Sequence, residues 1–321
     1  LGQQNTVKKK PLLKYILKFG ISAVLLYYIL KGTNFHDILT AIGKANWFLL
    51  AVSFSFHFIG LYLSAQRWRV LLSAQNVGSG VFHLVKSYLV AMFFNNFLPS
   101  TVGGDAVRVY DSYKLGKKKA DAFTVVFIDR FLGLFVLLFF AFVSAFFAKE
   151  LSDRVPHLHL FISLAFFGAL VFLVNIFFPN ETFIRWISHF PGISSVPKFK
   201  YIIEKFGSSF LLFRSQRPAI MKGLLLSVLL QANVIIYYYI ISIAVGFQVP
   251  LYYFFLIVPL SLFIMMLPIS LNGIGLRENA FFFFLAAFGI VKADAIAFAW
   301  IEFGMVLIQG ICGGIIYALR K

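Results

Sequence analysis

Acidic residues are scarce in this chain. Twelve Asp and Glu stand against 29 Lys and Arg among 321 residues, and charged residues of both signs make up only 13%. The single cysteine, Cys312, excludes an intrachain disulfide, and its apolar surroundings fit packing better than redox or metal chemistry. No nucleotide-binding fingerprint, paired acidic metal motif or nucleophile–His constellation stands out. Those gaps count against ATP-driven work and hydrolytic chemistry, and no cofactor or metal is expected. His157 and His159 lie in a short connection and are too sparse for a metal site.

What fills the chain instead is apolar sequence. Hydrophobic residues make up 60% of it, in several runs of about 18 or more that read as transmembrane helices. The 42 Phe residues fit side chains facing lipid or neighbouring helices. The first apolar run follows lysines but has no small-residue cleavage site after it, so it reads as a retained helix and not a signal peptide. The net charge of +17 raises nucleic acid as a partner, but the basic residues flank apolar segments and topology accounts for them; no nucleic acid is expected.

Six full spans are readable, at 12–30, 47–65, 121–148, 159–178, 218–245 and 294–318, with two interrupted regions at 81–113 and 251–289. Each interrupted region carries the same break. Leu98-Pro99 is followed by Gly104 and Arg108; Leu267-Pro268 is followed by Gly273 and Arg277 at the same spacing. The return limb from Gly103 to Tyr113 would rise only about 16 Å as a helix, too short to cross, so each region is expected to be a re-entrant helical hairpin.

With the N-terminus in the cytoplasm, 21 basic residues fall inside, Arg67 and Arg69 among them, against five outside. Both termini are therefore expected in the cytoplasm, in the inner membrane of a prokaryote. Shifting 47–65 and 121–148 by the offset between the breaks lands them on the fifth and last spans; the first span does not align at that offset, because 179–217 is a longer connection than 31–46. Three full spans per half is odd, so the halves would insert inverted, a recurring transporter plan with its site where the broken helices meet. The fold class expected is thus all-α and polytopic, a single integral membrane domain over 1–321 with pseudo-repeats 12–148 and 159–318. The basic connection 179–217, with Trp186, Phe190 and Phe206, is expected to lie as amphipathic helices on the anionic lipid surface, or to contact a partner protein.

Ionisable groups at membrane depth require a reason. Arg108 and Arg277 each lie about 13 Å of helix back from a hairpin tip and present a planar fork suited to phosphate, although Arg108 could instead snorkel to the surface. Thr101, Gly103 and Gly104 on one tip, with Asn272 and Gly273 on the other, open half-helices whose free N–H groups suit an anionic headgroup; the same residues also simply make the turn. Asn95 and Asn96 either satisfy backbone freed by Pro99 or touch the headgroup. Asp129 and Arg130 are neighbours that point apart. Asp129 is expected to reach an arginine on the first hairpin and Glu302 one on the second, either as locking ion pairs or as carboxylates that exchange partners. Arg130 and Asp105 join the substrate-binding candidates, and Asp129, Glu278 and Glu302 are the coupling or gating candidates. His57, Gln231 and Asn233 read as interhelical bridges.

Phe94-Asn95-Asn96-Phe97-Leu98-Pro99, Gly103-Gly104-Asp105 with Arg108, Asp129-Arg130 with Gly133, Arg67-Trp68-Arg69, and Leu267-Pro268 with Gly273, Gly275, Arg277 and Glu278 occur in an order and spacing that resembles the transmembrane region of lysylphosphatidylglycerol synthases, the flippase-like domain family. The resemblance spans about 12 to 318 and implies lipid translocation across a prokaryotic cytoplasmic membrane. In two-domain members it implies flipping of an aminoacylated phospholipid made by a soluble C-terminal domain. Because this sequence ends at Lys321, a stand-alone member without that domain is expected, and aminoacyl transfer is not carried over.

The function expected is flipping of an anionic or phosphate-bearing lipid headgroup through a cavity between the hairpins, not enzymatic chemistry. The alternatives are a membrane-embedded enzyme acting on a lipid or polyprenyl substrate, with Asp105 or Asp129 as base, and a scaffold for a lipid synthase. The partners expected are a membrane lipid, with a lipid-synthesising enzyme and a second copy as homodimer left open.

Overall fold

Long apolar runs with few helix breakers build a bundle in which every described element is helical. The structure, a computed structural model, describes residues 10–97, 103–116, 119–148, 151, 155–178, 213, 216–267 and 269–320. The helices are α1 (Lys10–Leu30), α2 (Phe35–Lys44), α3 (Trp47–Ser73), α4 (Val81–Phe97), α5 (Gly103–Lys114), α6 (Lys119–Ala145), α7 (Leu158–Phe177), α8 (Arg217–Ala244), α9 (Leu251–Met265), α10 (Leu276–Leu285) and α11 (Lys292–Leu319), with a 3₁₀ turn at Ala286–Phe288. There is no strand among the described residues.

Five of these, α3, α6, α7, α8 and α11, contain stretches long and apolar enough to cross a membrane; in α6 the stretch runs from Asp121 to Ala145. The chain is an all-helical, multi-pass membrane protein. The expected first span coincides with α1, whose described apolar part, Phe19–Leu30, is shorter than a span. Large apolar side chains such as Phe48, Phe161 and Leu164 point outward, as they do where the surroundings are acyl chains.

Two differences from the expected layout matter. First, α3 runs eight residues beyond 65, because no Pro or Gly interrupts it before Gly78. Arg67, counted above among surface cations, is consequently 5% exposed and lies inside the bundle. Second, 31–46 is not a plain connection. Asn34 accepts the His36 amide at 3.1 Å and caps α2, a short amphipathic helix that buries Ile38 and packs against α11. In addition, Cys312 is exposed on α11 and not packed inside.

Both interrupted regions are helix pairs. α4 packs on α5, and α9 packs on α10. Seventeen, 12, 15 and 10 residues give limbs of about 25, 18, 22 and 15 Å. The break between α9 and α10 bends through Asn272, Gly273 and Gly275, all at positive φ. Gly275 is needed twice over: its φ is +81°, and a Cβ there would overlap the Leu25 side chain of α1. Leu98–Val102 and Pro268, at the two breaks, lie outside the described residues, as do 179–212, 214 and 215 of the expected surface connection.

Polar contacts sort the helix ends into two groups. At one end of the bundle, the Asn46 amide donates to Ala244 O at 2.8 Å, Ser144 Oγ to Tyr252 O at 2.8 Å, and Lys292 Nζ to Lys31 O at 3.1 Å. At the other, Arg217 Nε donates to Phe177 O at 3.2 Å, while Arg320 reaches Asp111 at 3.0 Å and Ser87 at 2.6 Å. The α9/α10 pair opens at the first end and the α4/α5 pair at the second.

Candidate functional site: two buried charge clusters beside a polar cavity

Inside the bundle the chain buries more charge than its composition suggests. Arg67, Arg108, Asp129, Arg277, Glu278 and Glu302 are each 5% exposed or less.

Asp129, on α6, is the hub of the first cluster. Arg67 of α3 donates from Nε to Oδ1 at 2.7 Å and from Nη2 to Oδ2 at 3.2 Å, the paired geometry a guanidinium favours. Its third nitrogen, Nη1, donates to Ser227 Oγ of α8 at 2.9 Å. Arg108 of α5 donates to Oδ2 at 2.7 Å, and Tyr88 of α4 donates to the same oxygen at 3.0 Å. One carboxylate thus ties α3, α4 and α5 to α6, and Arg67 carries the network on to α8. The Arg108 guanidinium also lies 4.8 Å from the Trp68 ring centre and 4.2 Å from that of Tyr88, so aromatic faces supply what water would. The expected pairing of Asp129 with a first-hairpin arginine is present, and Arg108 does not snorkel. Gly133, one turn along α6, leaves the space: a Cβ there would come within 3.0 Å of Arg67 Nη1.

Arg130 points the other way, as expected for Asp129's neighbour. Its side chain is 43% exposed and its Nε lies 2.9 Å from an Asp105 carboxylate oxygen. Asp105 is also 3.5 Å from Arg108. Three guanidiniums against two carboxylates leave this cluster with one net positive charge.

The second cluster has the opposite sign. Arg277 of α10 meets Glu302 of α11, the pairing expected, but Nε stands 3.5 Å from Oε2. The Arg277 guanidinium lies over the Phe303 ring at 4.4 Å. Glu278 is committed elsewhere: Oε2 accepts the Gly275 amide at 2.8 Å, and Oε1 accepts the Trp300 indole N–H at 3.1 Å.

The hairpin amides expected to receive an anion already have protein partners at several points. Asn95 Oδ1 accepts the Gly104 amide at 2.7 Å, Glu278 takes that of Gly275, and Ser22 Oγ of α1 accepts that of Leu271 at 2.8 Å. Asn95 therefore satisfies backbone at the first break. Asn96 donates to Val306 O at 3.0 Å and accepts from Asn272 at 3.2 Å, joining the two hairpins directly. Gly103 opens α5, Gly273 turns the second break, and Thr101 lies outside the described residues. The interhelical bridges are as expected: His57 Nδ1 to Gln309 Oε1 at 3.3 Å, Gln231 to Gly133 O at 3.2 Å, and Asn233 to Phe56 O at 3.0 Å.

Beside the first cluster lies a cavity of about 320 Å³, walled by Asp105, Arg108, Asp129 and Arg130 on one side and by His57, Gln309, Asn233 and Tyr237 on the other. A second lobe of about 310 Å³ shares Arg67, Asn95, Arg130 and Gln231 with it and continues to Leu262, Met265 and Asn272 of the second hairpin. Each is large enough for a small polar ligand, about 300 Å³ upward. Among the described residues no group of His, Cys, Asp or Glu could hold a metal ion.

Sequence reasoning missed Arg67, Tyr88, Ser227 and Trp300 as members of these networks. For Arg67 the signal was available, since nothing in 47–73 stops the helix. For the other three, nothing in spacing marks a tyrosine, serine or tryptophan in an apolar helix as an ion's partner.

Residues 15–313 match the family described as lysylphosphatidylglycerol synthase TM region. Two proteins of Methanothermobacter thermautotrophicus, each described as a UPF0104 membrane protein, are similar along most of their length. One is 26% identical over 300 residues, covering 86% of this chain and 84% of the relative. The other is 24% identical over 311 residues, covering 89% of each. The match takes in both helix pairs, both charge clusters and the cavity beside the first, and on that footing the chain belongs to the lysylphosphatidylglycerol synthase TM region family, a multi-pass membrane protein of a lipid-handling group.

Proposed function

We propose that this protein moves a phosphate-bearing or otherwise anionic lipid headgroup across the cytoplasmic membrane of a prokaryote, without chemistry on the lipid. The carrying observation is the polar cavity inside a bundle whose outer surface is apolar, with Arg130 as the guanidinium most open to it. The headgroup enters the cavity and engages Arg130, displacing Asp105, while the acyl chains stay among the outward Phe and Leu side chains. Arg108, buried in an ion pair, forms part of the cavity wall and supplies field more than direct contact, and Arg277, also ion-paired, lies behind the lining.

The cavity is reached from alternate sides if the two helix pairs are re-entrant and inverted. Their opening at opposite ends of the bundle supports this reading. So does register: adding 169 residues carries the starts of α3, α4, α5 and α6 from 47, 81, 103 and 119 to 216, 250, 272 and 288, against observed starts of 217, 251, 276 and 292. Packing partners exchange in the same way. α4 packs on α11 as α9 does on α6, α3 on α4 as α8 on α9, and α5 on α6 as α10 on α11, with the α3–α8 contact at the centre. Both termini would then face the cytoplasm.

Proteoliposomes carrying fluorescent phosphatidylglycerol, bleached from outside by an impermeant reductant, test this. The wild type bleaches both leaflets faster than protein-free vesicles. Arg130→Ala forfeits a charge-assisted hydrogen bond of about 1.5–3 kcal/mol, hence about 10- to 100-fold in rate, and Arg130→Lys recovers part of it. A wild-type rate equal to empty vesicles for every anionic lipid offered would remove the reading. Arg130→Ala at full speed would remove this residue's role.

A further inference from the structure

The central cavity lies on one side of the α3–α8 contact. His57 and Gln231 line it, and nine residues from each, on the same helix, stand Gln66 and Lys222. Nine residues make about two and a half helical turns, so Gln66 and Lys222 face the opposite way. There a separate hollow of about 410 Å³ opens between the same two helices, walled by Gln66, Arg69 and Ser73 of α3 and by Gln216, Ala219 and Lys222 where α8 begins. It shares no lining residue with either lobe of the central cavity.

Its chemistry is one-sided. Arg69 and Lys222 bring two positive charges, Gln66, Gln216 and Ser73 bring amide and hydroxyl groups, and no carboxylate lines the wall. Among the described residues no acid pairs with either cation. Arg69 stands four residues before the end of α3 and Lys222 five after the start of α8, so both lie about 6–8 Å inside the helix ends. This is the end of the bundle at which the α4/α5 pair opens. Toward the middle of the bundle the same faces turn apolar. Tyr62 and Phe58 follow Gln66 along α3, and Met221, Leu225 and Leu229 run beside Lys222 along α8, all of them exposed. Cations at headgroup depth above an exposed apolar strip trace the outline of a membrane lipid and not of a soluble anion.

We propose that this hollow holds the headgroup of an anionic phospholipid from the adjoining leaflet, as a resident lipid and not as cargo. The Arg69 fork and the Lys222 ammonium take the phosphodiester oxygens, while the acyl chains lie along Tyr62 and Phe58 on one helix and Leu225 and Leu229 on the other. A choline headgroup suits the hollow less, because it brings a third cation to the two already there. α3 and α8 pack on each other, and a lipid that spans their outer seam binds only the folded chain and so stabilises it. This lipid is independent of the one the central cavity would move.

Native mass spectrometry of the full chain in an uncharged detergent, titrated with dioctanoyl phosphatidylglycerol, counts the bound lipid. The wild type is expected to hold a tight copy that Arg130→Ala keeps and Arg69→Ala/Lys222→Ala lacks. Two basic residues near an anionic surface are worth about 30-fold in affinity, and that is the weakening expected. Lys86→Ala/Lys114→Ala removes the same charge from the same end of the bundle and keeps the copy. Dioctanoyl phosphatidylcholine does not take its place, and glycerol 3-phosphate does not displace it. Equal binding by the wild type and Arg69→Ala/Lys222→Ala, an equal loss in Lys86→Ala/Lys114→Ala, or equal uptake of the choline lipid overturns the proposal. Displacement by glycerol 3-phosphate makes this a site for a soluble phosphate and overturns the lipid. Loss of the tight copy in Arg130→Ala alone places it in the central cavity, which overturns this proposal and leaves the transport reading standing. Should Arg69→Ala/Lys222→Ala fail to fold, a photoactivatable phosphatidylglycerol on the wild type decides. Adducts on 58–73 or 218–229 support the site, and adducts only elsewhere overturn it. A wild type that holds this copy yet moves no lipid would sink only the transport reading.

Discussion

Asp129 is the carboxylate that Arg67 pairs with and the nearer of the two that face Arg108. Removing its charge leaves Arg67 buried without a carboxylate and Arg108 with Asp105 alone, at 3.5 Å, and breaking a buried pair of this kind costs about 3–5 kcal/mol. Asp129→Asn is therefore expected to lower the thermal midpoint in detergent far more than Tyr88→Phe, which loses a single hydrogen bond to the same oxygen. Equal, small shifts for both would show that the hub carries no weight. Gly133→Ala tests the neighbouring space: its methyl would lie 3.0 Å from Arg67 Nη1 and 3.2 Å from Gln231 Nε2, and overpacking of this kind costs about 1–3 kcal/mol. At this scale the sequence was partly legible. A lone carboxylate in an apolar helix must find a cation, so Asp129–Arg108 and Glu302–Arg277 could be paired in advance. That Arg67 would take the better share of Asp129 was hidden by ending its helix at 65.

At the level of elements, contact between α11 and α4 depends on missing side chains. A Cβ on Gly313 would overlap the Leu89 carbonyl oxygen, which is backbone and cannot rotate away, and Cβ atoms on Gly310 and Gly314 would meet Asn96 and Phe93. Small residues at this spacing let membrane helices approach closely. Gly313→Val is expected to disrupt folding, seen as loss of the monodisperse peak in size exclusion. Gly304→Ala, with nothing within 4 Å of its Cβ, is expected to be neutral or to stabilise by up to about 1 kcal/mol. Similar behaviour of the two variants would mean that the glycines mark no interface. The apolar helices were readable from length alone to within a few residues, apart from the C-terminal end of α3. α2 was not: ten residues with an Asn cap are too short to give a hydropathy signal, and only tertiary contact with α11 fixes them.

Across the whole molecule, the two helix pairs make an opposite-sides prediction. Single cysteines at Ser79 and Lys114 flank the first pair, and at Gln248 and Val291 the second. On a Cys312→Ser background, an impermeant maleimide is expected to reach the first two only from the cytoplasmic face and the last two only from outside. Labelling of all four from one face would end the inverted arrangement. What was legible is the Leu-Pro break with Gly and Arg at fixed distances in both halves, and the labelling tests the repeat it suggests. A cavity was expected, but its lining was not legible, since its walls come from six helices whose relative rotation no one-dimensional pattern encodes.

One helix treats the two helix pairs unequally. α1 presses Leu25 against Gly275, takes the Leu271 amide on Ser22, and lends Leu25 O to Asn279 at 3.4 Å. It clasps the second bend and has no counterpart gripping the first among the described residues. If the protein works as proposed, a clamp on one side alone would give it a default posture, with one gate latched and the other at liberty. Trimming α1 would even the two sides, and whatever preference the protein has for working in one direction would fade with it.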